Sequence, residues 1–424
     1  MKHITILLLS FFLIAGCTLD DADPVEYSTG SADFSNYVAV GGNLSSGFQS
    51  GALTEMHQQF SYPAQIARQA GVNDFTQPLL DYPGIGSYTP IGAGILQLES
   101  LLPLALVPAF YSDYSSFDSA SPYISDEIKN LPHPYHNLSM PGVLLADLLE
   151  SVTTEESFSQ SQFIDLILRN RDKAAGSRKT LVGQVAELDP TFITCWIGNS
   201  DLLAYALLGG TVEEVLTSET DFEFLYKELI DSLSATGADI VVANLASYRN
   251  VAYFTTIPPY LFNFTTLEPV LDENDERIPL VGIDENDLVL FSAIDTLSRG
   301  TGIPEANGGK GDPLPDVFYL DQDEQDVLNT QLIAFNAIIE NEARARDIPV
   351  VDMYNFMAGV NVSGIDITGH SFDGAFITGG FFSLDGLHAT DAGNALIANE
   401  WIATINAHFD ADIPPANVIN AMGN

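Results

Sequence analysis

An α/β fold of three layers, α/β/α around a mostly parallel sheet, is what the sequence predicts, and three observations carry it. Short apolar runs of strand length alternate with segments of helical period along most of the chain. With 424 residues and 46% hydrophobic content, the chain can bury one large core or two modest ones. No internal repeat interrupts that order.

The elements follow in sequence. Tyr37, Val38, Ala39 and Val40 form a strand candidate that ends at Gly41 and Gly42. Residues 62–70 suit a helix, with Pro63 in the first turn, where a missing N–H does no harm, and Gly71 as the stop. Residues 191–197 form a second, buried strand, and Cys195 within it is expected to be a small buried hydrophobe. A helix over 222–233 feeds the strand 239–244. Leu328, Leu332, Phe335 and Ile339 mark one face of a long helix that leads to a strand at 348–352. A helix over 392–407 closes the domain, which is expected to span residues 35–410 and to leave a tail at 411–424.

Two stretches break the alternation and are read as insertions, 84–134 and 256–318. The first holds the apolar segment Leu101 to Pro108, read as a buried turn in preference to a lid over an acyl-binding cleft. The second carries Asp-Glu-Asn-Asp at 272–275 and a similar acidic run at 284–287. Neither has the glycine at loop position six or the glutamate at twelve of a calcium-binding loop, so no metal is expected there.

The amino terminus sets the compartment. Lys2 and His3 precede an apolar run over 4–15, broken only by Thr5 and Ser10, that ends in Ala15-Gly16-Cys17. The run is too short for a bilayer span, which needs about 20 apolar residues, and has the layout of a secretory signal over residues 1–16. The ending resembles a lipobox, which implies that Cys17 becomes a lipid anchor and that the membrane is a partner through it. Thr18, where an Asp would favour retention in the inner membrane, leans the expected location toward the outer membrane. The acidic run Asp20-Asp21-Ala22-Asp23 resembles the surface-export tether of Bacteroidetes-type lipoproteins, and residues 17–34 are read as a flexible tether. If Cys17 is lipidated, Cys195 is alone and no intrachain disulfide forms. The net charge of −42, from 57 acidic and 15 basic residues, excludes nucleic acid and electrostatic docking on anionic lipid, both of which need a cationic face.

The chemistry concentrates near the carboxyl end, where Asp385 stands three residues before His388 and just ahead of a helix. There a carboxylate can orient an imidazole and stabilise its protonated form, leaving the imidazole to act as general base. The segment Asp385-Gly386-Leu387-His388-Ala389-Thr390, with the helix through Ala395 to Glu400, resembles the last block of the GDSL/SGNH ester-hydrolase family. Residues 37–47 are similar to its opening block, Asn137 to Gly142 to its second, and Trp196 to Asp201 to its third, in family order. The resemblance implies an SGNH-hydrolase-like fold, acyl transfer without a cofactor, His388 as base, Asp385 as its orienter and Gly142 as an oxyanion donor. Its expected ligand is an acyl ester or acylated carbohydrate, a small-molecule, lipid or glycan group held in the cleft of a monomer.

Two departures cut into that mechanism. Asn43 stands at the nucleophile position, and Ser200 stands where the family has its oxyanion asparagine. Ser200 and Asp201 also suit plain helix capping, and Ser45 and Ser46 suit turn positions. Three readings stay open on sequence: a non-catalytic cleft that binds lipid or carbohydrate, an exchange in which Ser200 attacks while Asn43 donates, and slow hydrolysis by water activated at His388. A structural role in an envelope complex has only the anchor in its favour.

Overall fold

The structure, a computed structural model, describes residues 28–81, 84–86, 132–170, 173–264 and 266–422. The expected signal segment 1–16, Cys17, the acidic run at 20–23 and the apolar segment 101–108 lie outside the described residues.

Four parallel strands form the central sheet, and each is buried because helices cover both faces. They are β1 (Tyr37–Gly41), β2 (Phe192–Trp196), β3 (Asp239–Ala243) and β4 (Val350–Val351), adjacent in that order. The segment 136–140 runs along the free edge of β1, with Ala39 N–H donating to His136 at 2.8 Å and Leu138 N–H to Ala39 at 2.9 Å. β4 is shorter than the 348–352 expected, because Pro349 has no N–H to give a neighbouring strand and pairing starts after it.

The helices that matter to the site are α1 (Asn43–Ser46), α2 (Tyr62–Gln69), α3 (Asn199–Leu207), α4 (Glu219–Ser234), α5 (Gln322–Arg344) and α6 (Asp391–Phe409). α4 begins three residues before the expected start, because Ser218 accepts the Asp221 N–H and caps the added turn. A reciprocal cap between Asp321 and Glu324 starts α5, and Thr390 caps α6 through the Gly393 N–H. Side chains alternate along β2 and sort the layers. Phe192 and Trp196 meet Phe409 and Trp401 of α6 at ring distances of 5.6 and 6.4 Å. Cys195 points to the other face; it is buried, and burial pushes its thiol up to about 12. There α4 and α5 join through Phe222 and Phe335, stacked at 3.7 Å.

The body is larger than the sequence outlines. Residues from 28 onward are packed: Asp412 N–H bonds Ser28 at 2.7 Å, Ser31 N–H bonds Phe409 at 2.8 Å, and Phe34 stacks on Phe192. Ile413, Ala416 and Val418 of the expected tail are buried as well. The 256–318 stretch joins the same core through Leu280, Val289, Leu290 and Phe291, and Leu288–Val289 pairs antiparallel with Tyr319–Leu320. Its acidic runs cap their own turns: Asp272 accepts the N–H groups of Asn274 and Glu276, and Asp287 that of Asp284.

Phe335 is fully buried and ties α5 to α4. Phe335→Ala should lower stability by about 3–5 kcal/mol, read as a lower urea midpoint with an unchanged slope.

Candidate functional site

The carboxyl ends of β1 and β2 make one wall of the site. β1 runs into Gly41 and Gly42, and α1 begins at once with Asn43. A β-carbon on Gly41 would lie 2.8 Å from the Trp196 carbonyl oxygen and press on Ser45, so the tight exit to Asn43 requires glycine there. Ser45 and Ser46 are buried in α1 itself; Ser45 bonds the Tyr62 hydroxyl at 3.0 Å, and Ser46 donates to the Asn43 carbonyl at 2.8 Å. On the far side of β1, the edge segment ends in Pro141 and Gly142. Gly142 has φ +76, a left-handed conformation that aims its N–H at Asn43.

The opposite wall is the loop that precedes α6. Asp385 is completely buried and accepts from His388 Nδ1 at 2.8 Å, from the His388 and Leu387 N–H groups at 2.9 Å each, from Ser383 Oγ at 3.1 Å and from Gly51 N–H at 3.1 Å. Burial alone pushes its carboxyl up, yet the His388 ring and the backbone N–H groups outweigh it and hold Asp385 below its ordinary value. Phe48 packs its ring 4.8 Å from the imidazole.

Asn43 spans the two walls. Its Oδ1 accepts the Gly142 N–H, and its Nδ2 lies 2.9 Å from His388 Nε2. A backbone N–H can only donate, so the atom facing Gly142 is the oxygen and the atom facing His388 is the NH2 group. The imidazole is then neutral, with Nε2 accepting from Asn43 and Nδ1–H donating to Asp385. A base is thus oriented and buried, and its lone pair is taken by a group with no proton worth removing.

Asn43, Gly142, Ser200 and His388, proposed from separate stretches of sequence, all line one cleft of about 910 Å³. Asp385 stands behind His388, and Cys17 lies outside the described residues. Ser200 is the second residue of α3, after Gly198 at φ +106, and its hydroxyl would be 4.0 Å from a β-carbon on Gly42. His388 Nε2 bonds Asn43 and not Ser200. Gly198 holds the cap position of α3, so helix capping is corrected both for Ser200 and for Asp201. Asp201 is buried in the first turn of α3, and its carboxylate accepts the Leu145 N–H at 3.1 Å and the Thr217 hydroxyl at 2.8 Å. Burial raises that acid to about 6.

Several residues here went unnoticed in the sequence. Ser383 and Gly51 complete the shell of Asp385. His57 Nδ1 lies 3.0 Å from Asp391, which ties the segment after α1 to the start of α6. Buried Asp147 accepts from Leu144 N–H, Ser151 Oγ and Phe158 N–H and so fixes one margin of the cleft. Gly51 with Asp385 and His57 with Asp391 span more than 300 residues and leave no local pattern, whereas Ser383 with Asp385 and Asp147 with Ser151 are near neighbours. Among the described residues no group of three or more His, Cys, Asp or Glu side chains is placed to hold a metal ion.

In Asp385→Asn the new NH2 group must face N–H donors, at a cost of about 1–3 kcal/mol for each donor left unpaired. Because the folded pKa of Asp385 is depressed, its stabilisation is present above the ordinary carboxylate value, about 3.9, and is lost as pH falls through the folded value. The stability difference between wild type and Asp385→Asn should therefore be full at neutral pH and shrink in acid, as measured by urea melts across pH.

A profile of the GDSL-like Lipase/Acylhydrolase family matches residues 102–401. The match takes in Gly142, Ser200, Asp385 and His388 and begins after Asn43, which enters the site by geometry. No curated protein matches the chain. Among solved structures, LAE5, an alpha/beta hydrolase enzyme from the metagenome of Lake Arreo, Spain, is 10% identical, with 89% of this chain and 97% of that one covered and a TM-score of 0.35. A variant of Axe2, an acetyl xylan esterase from Geobacillus stearothermophilus, is 10% identical, with 89% and 96% covered and a TM-score of 0.35. A protein described as a GDSL-like lipase from Parabacteroides merdae is 11% identical, with 88% and 96% covered and a TM-score of 0.34. With its family profile matched over more than half its length, this chain belongs to the GDSL-like lipase/acylhydrolase family.

Proposed function

We propose that this chain is an exported lipoprotein that recognises acyl esters in the family's cleft and hydrolyses them slowly or not at all. The observation that carries this is the Asn43 carboxamide, which takes the Gly142 N–H with its oxygen and the His388 lone pair with its nitrogen. An ester carbonyl that seeks the Gly142 donor must first displace Asn43. A carboxamide also offers no alkoxide, so no acyl-enzyme forms. In serine-protease systems, loss of the nucleophile costs about a millionfold and leaves roughly a thousandfold over water. The exchange of roles between Asn43 and Ser200 has no support from the hydrogen bonding, because the base faces residue 43.

The anchor belongs to the same proposal. It is supported by the 4–15 apolar run and the lipobox-like ending at Cys17, with Thr18 favouring the outer membrane. At a net charge of −42 the body is repelled by anionic lipid, so a covalent chain is the means of attachment that its charge permits.

In Asn43→Ser a hydroxyl would sit against His388 Nε2. Its proton passes to the imidazole, its oxygen attacks the ester carbonyl and the alcohol leaves with that proton; water, deprotonated by the same imidazole, then cleaves the acyl-serine, releasing the acid and returning a proton to the hydroxyl. Turnover of aryl esters should rise at least about a hundredfold over wild type and vanish in Asn43→Ser with His388→Ala. Wild-type turnover at ordinary esterase rates, about 1–1,000 per second, and lost in Ser200→Ala would instead establish the exchange. For the anchor, labelled fatty acid should enter the wild-type chain and not Cys17→Ser; equal labelling of both would remove the lipoprotein assignment.

A further inference from the structure

We propose, resting on the acyl-ester reading above, that the cleft is shaped for a long acyl chain on an uncharged or cationic head group and discriminates against anionic amphiphiles. Size is the first argument. At about 910 Å³ the cavity is at the upper end of small-ligand sites, about 300–1,000 Å³. It follows α3 from Ser200 to Leu207, and at 1.5 Å rise per residue those seven steps span about 10 Å. An acetyl group at His388 would leave most of that length empty.

The lining is the second argument. α3 contributes Leu203 and Leu207, α4 contributes Leu225, and Val215 and Leu216 come from the segment between them, each half-buried. Phe158 and Phe224 line the same cavity while 59% and 63% exposed, so two aromatic rings stand in water beside an apolar trough. Exposed aromatics continuous with an apolar cavity mark a surface that a hydrophobic ligand covers.

Charge is the third. Among the described residues the carboxyl groups on the lining are Glu150, Glu214 and Asp221, and none of the described lining residues is a lysine or arginine. A carboxylate or phosphate head would meet like charge from these three groups, within a chain of net charge −42. A glycerol, sugar or ammonium head meets no such penalty.

Isothermal titration of the full chain carrying Cys17→Ser, purified without detergent, tests this with probes kept below their micelle concentrations. Affinity for 1-monoacylglycerols should rise about fourfold per methylene from the butanoyl to the dodecanoyl ester. Dodecanoate should bind at least tenfold more weakly than the dodecanoyl glyceride, and dodecyltrimethylammonium at least as tightly. Leu207→Trp, which fills the trough, and Phe224→Asp, at an exposed position that leaves the core intact, should each lower dodecanoyl affinity at least tenfold. Affinity that is flat with chain length, or dodecanoate binding as tightly as the glyceride, overturns the proposal. The two readings fail separately. A gain of turnover in Asn43→Ser with flat chain-length binding removes this one alone, and steep chain-length binding with no gain in Asn43→Ser removes the blocked-hydrolase reading alone.

Discussion

A carboxylate withdrawn from water must have every lone pair answered, and Asp385 organises the site because it is such a group. Its donors come from two distant stretches of chain, Gly51 after α1 and residues 383–388 before α6. The same two stretches are sewn together by Ser50 N–H on the Ser383 hydroxyl at 2.9 Å and by His57 with Asp391. Satisfying one buried charge therefore clamps the opening block against the closing block. It also leaves His388 a single neutral tautomer, with its free lone pair aimed at residue 43.

What that clamp presents is complementary to a carboxamide. One side offers a donor, the Gly142 N–H, and the other an acceptor, Nε2, and an amide supplies the matching acceptor and donor. Asn43 is a fitted part of a closed network. With its NH2 group on Nε2, Asn43 occupies the place where a nucleophile would hand over its proton. A donor and a base aimed at one point suit catalysis when residue 43 is a hydroxyl and suit silence when it is an amide.

Much of this was legible in the sequence, for reasons that can be named. The strands are buried on both faces, so β1, β2 and β3 read as largely apolar runs, with Thr194 inside β2 and Asp239 at the start of β3, and the spacing of Asp385 and His388 is a local pattern. The ends of elements were less legible where a polar residue outside the hydrophobic rhythm sets them, as Ser218 does for α4. The packed ends of the body and the 256–318 stretch escaped because their contacts are with distant residues. Asp201 escaped for a subtler reason. A serine and an aspartate ahead of a leucine run satisfy a capping rule, and only the approach of Leu145 and Thr217 assigns the carboxylate another task.

The seam between residues 28–31 and 409–412 fixes an orientation. Residues 28–36 lead into the amino end of β1, whereas Asn43, Gly142 and His388 gather at the carboxyl ends of the strands. The leading end and the cleft thus occupy opposite poles of the sheet. A change at this seam therefore reaches the amino-terminal edge of the body first, and the Asn43 network at the far pole feels it only through the length of β1.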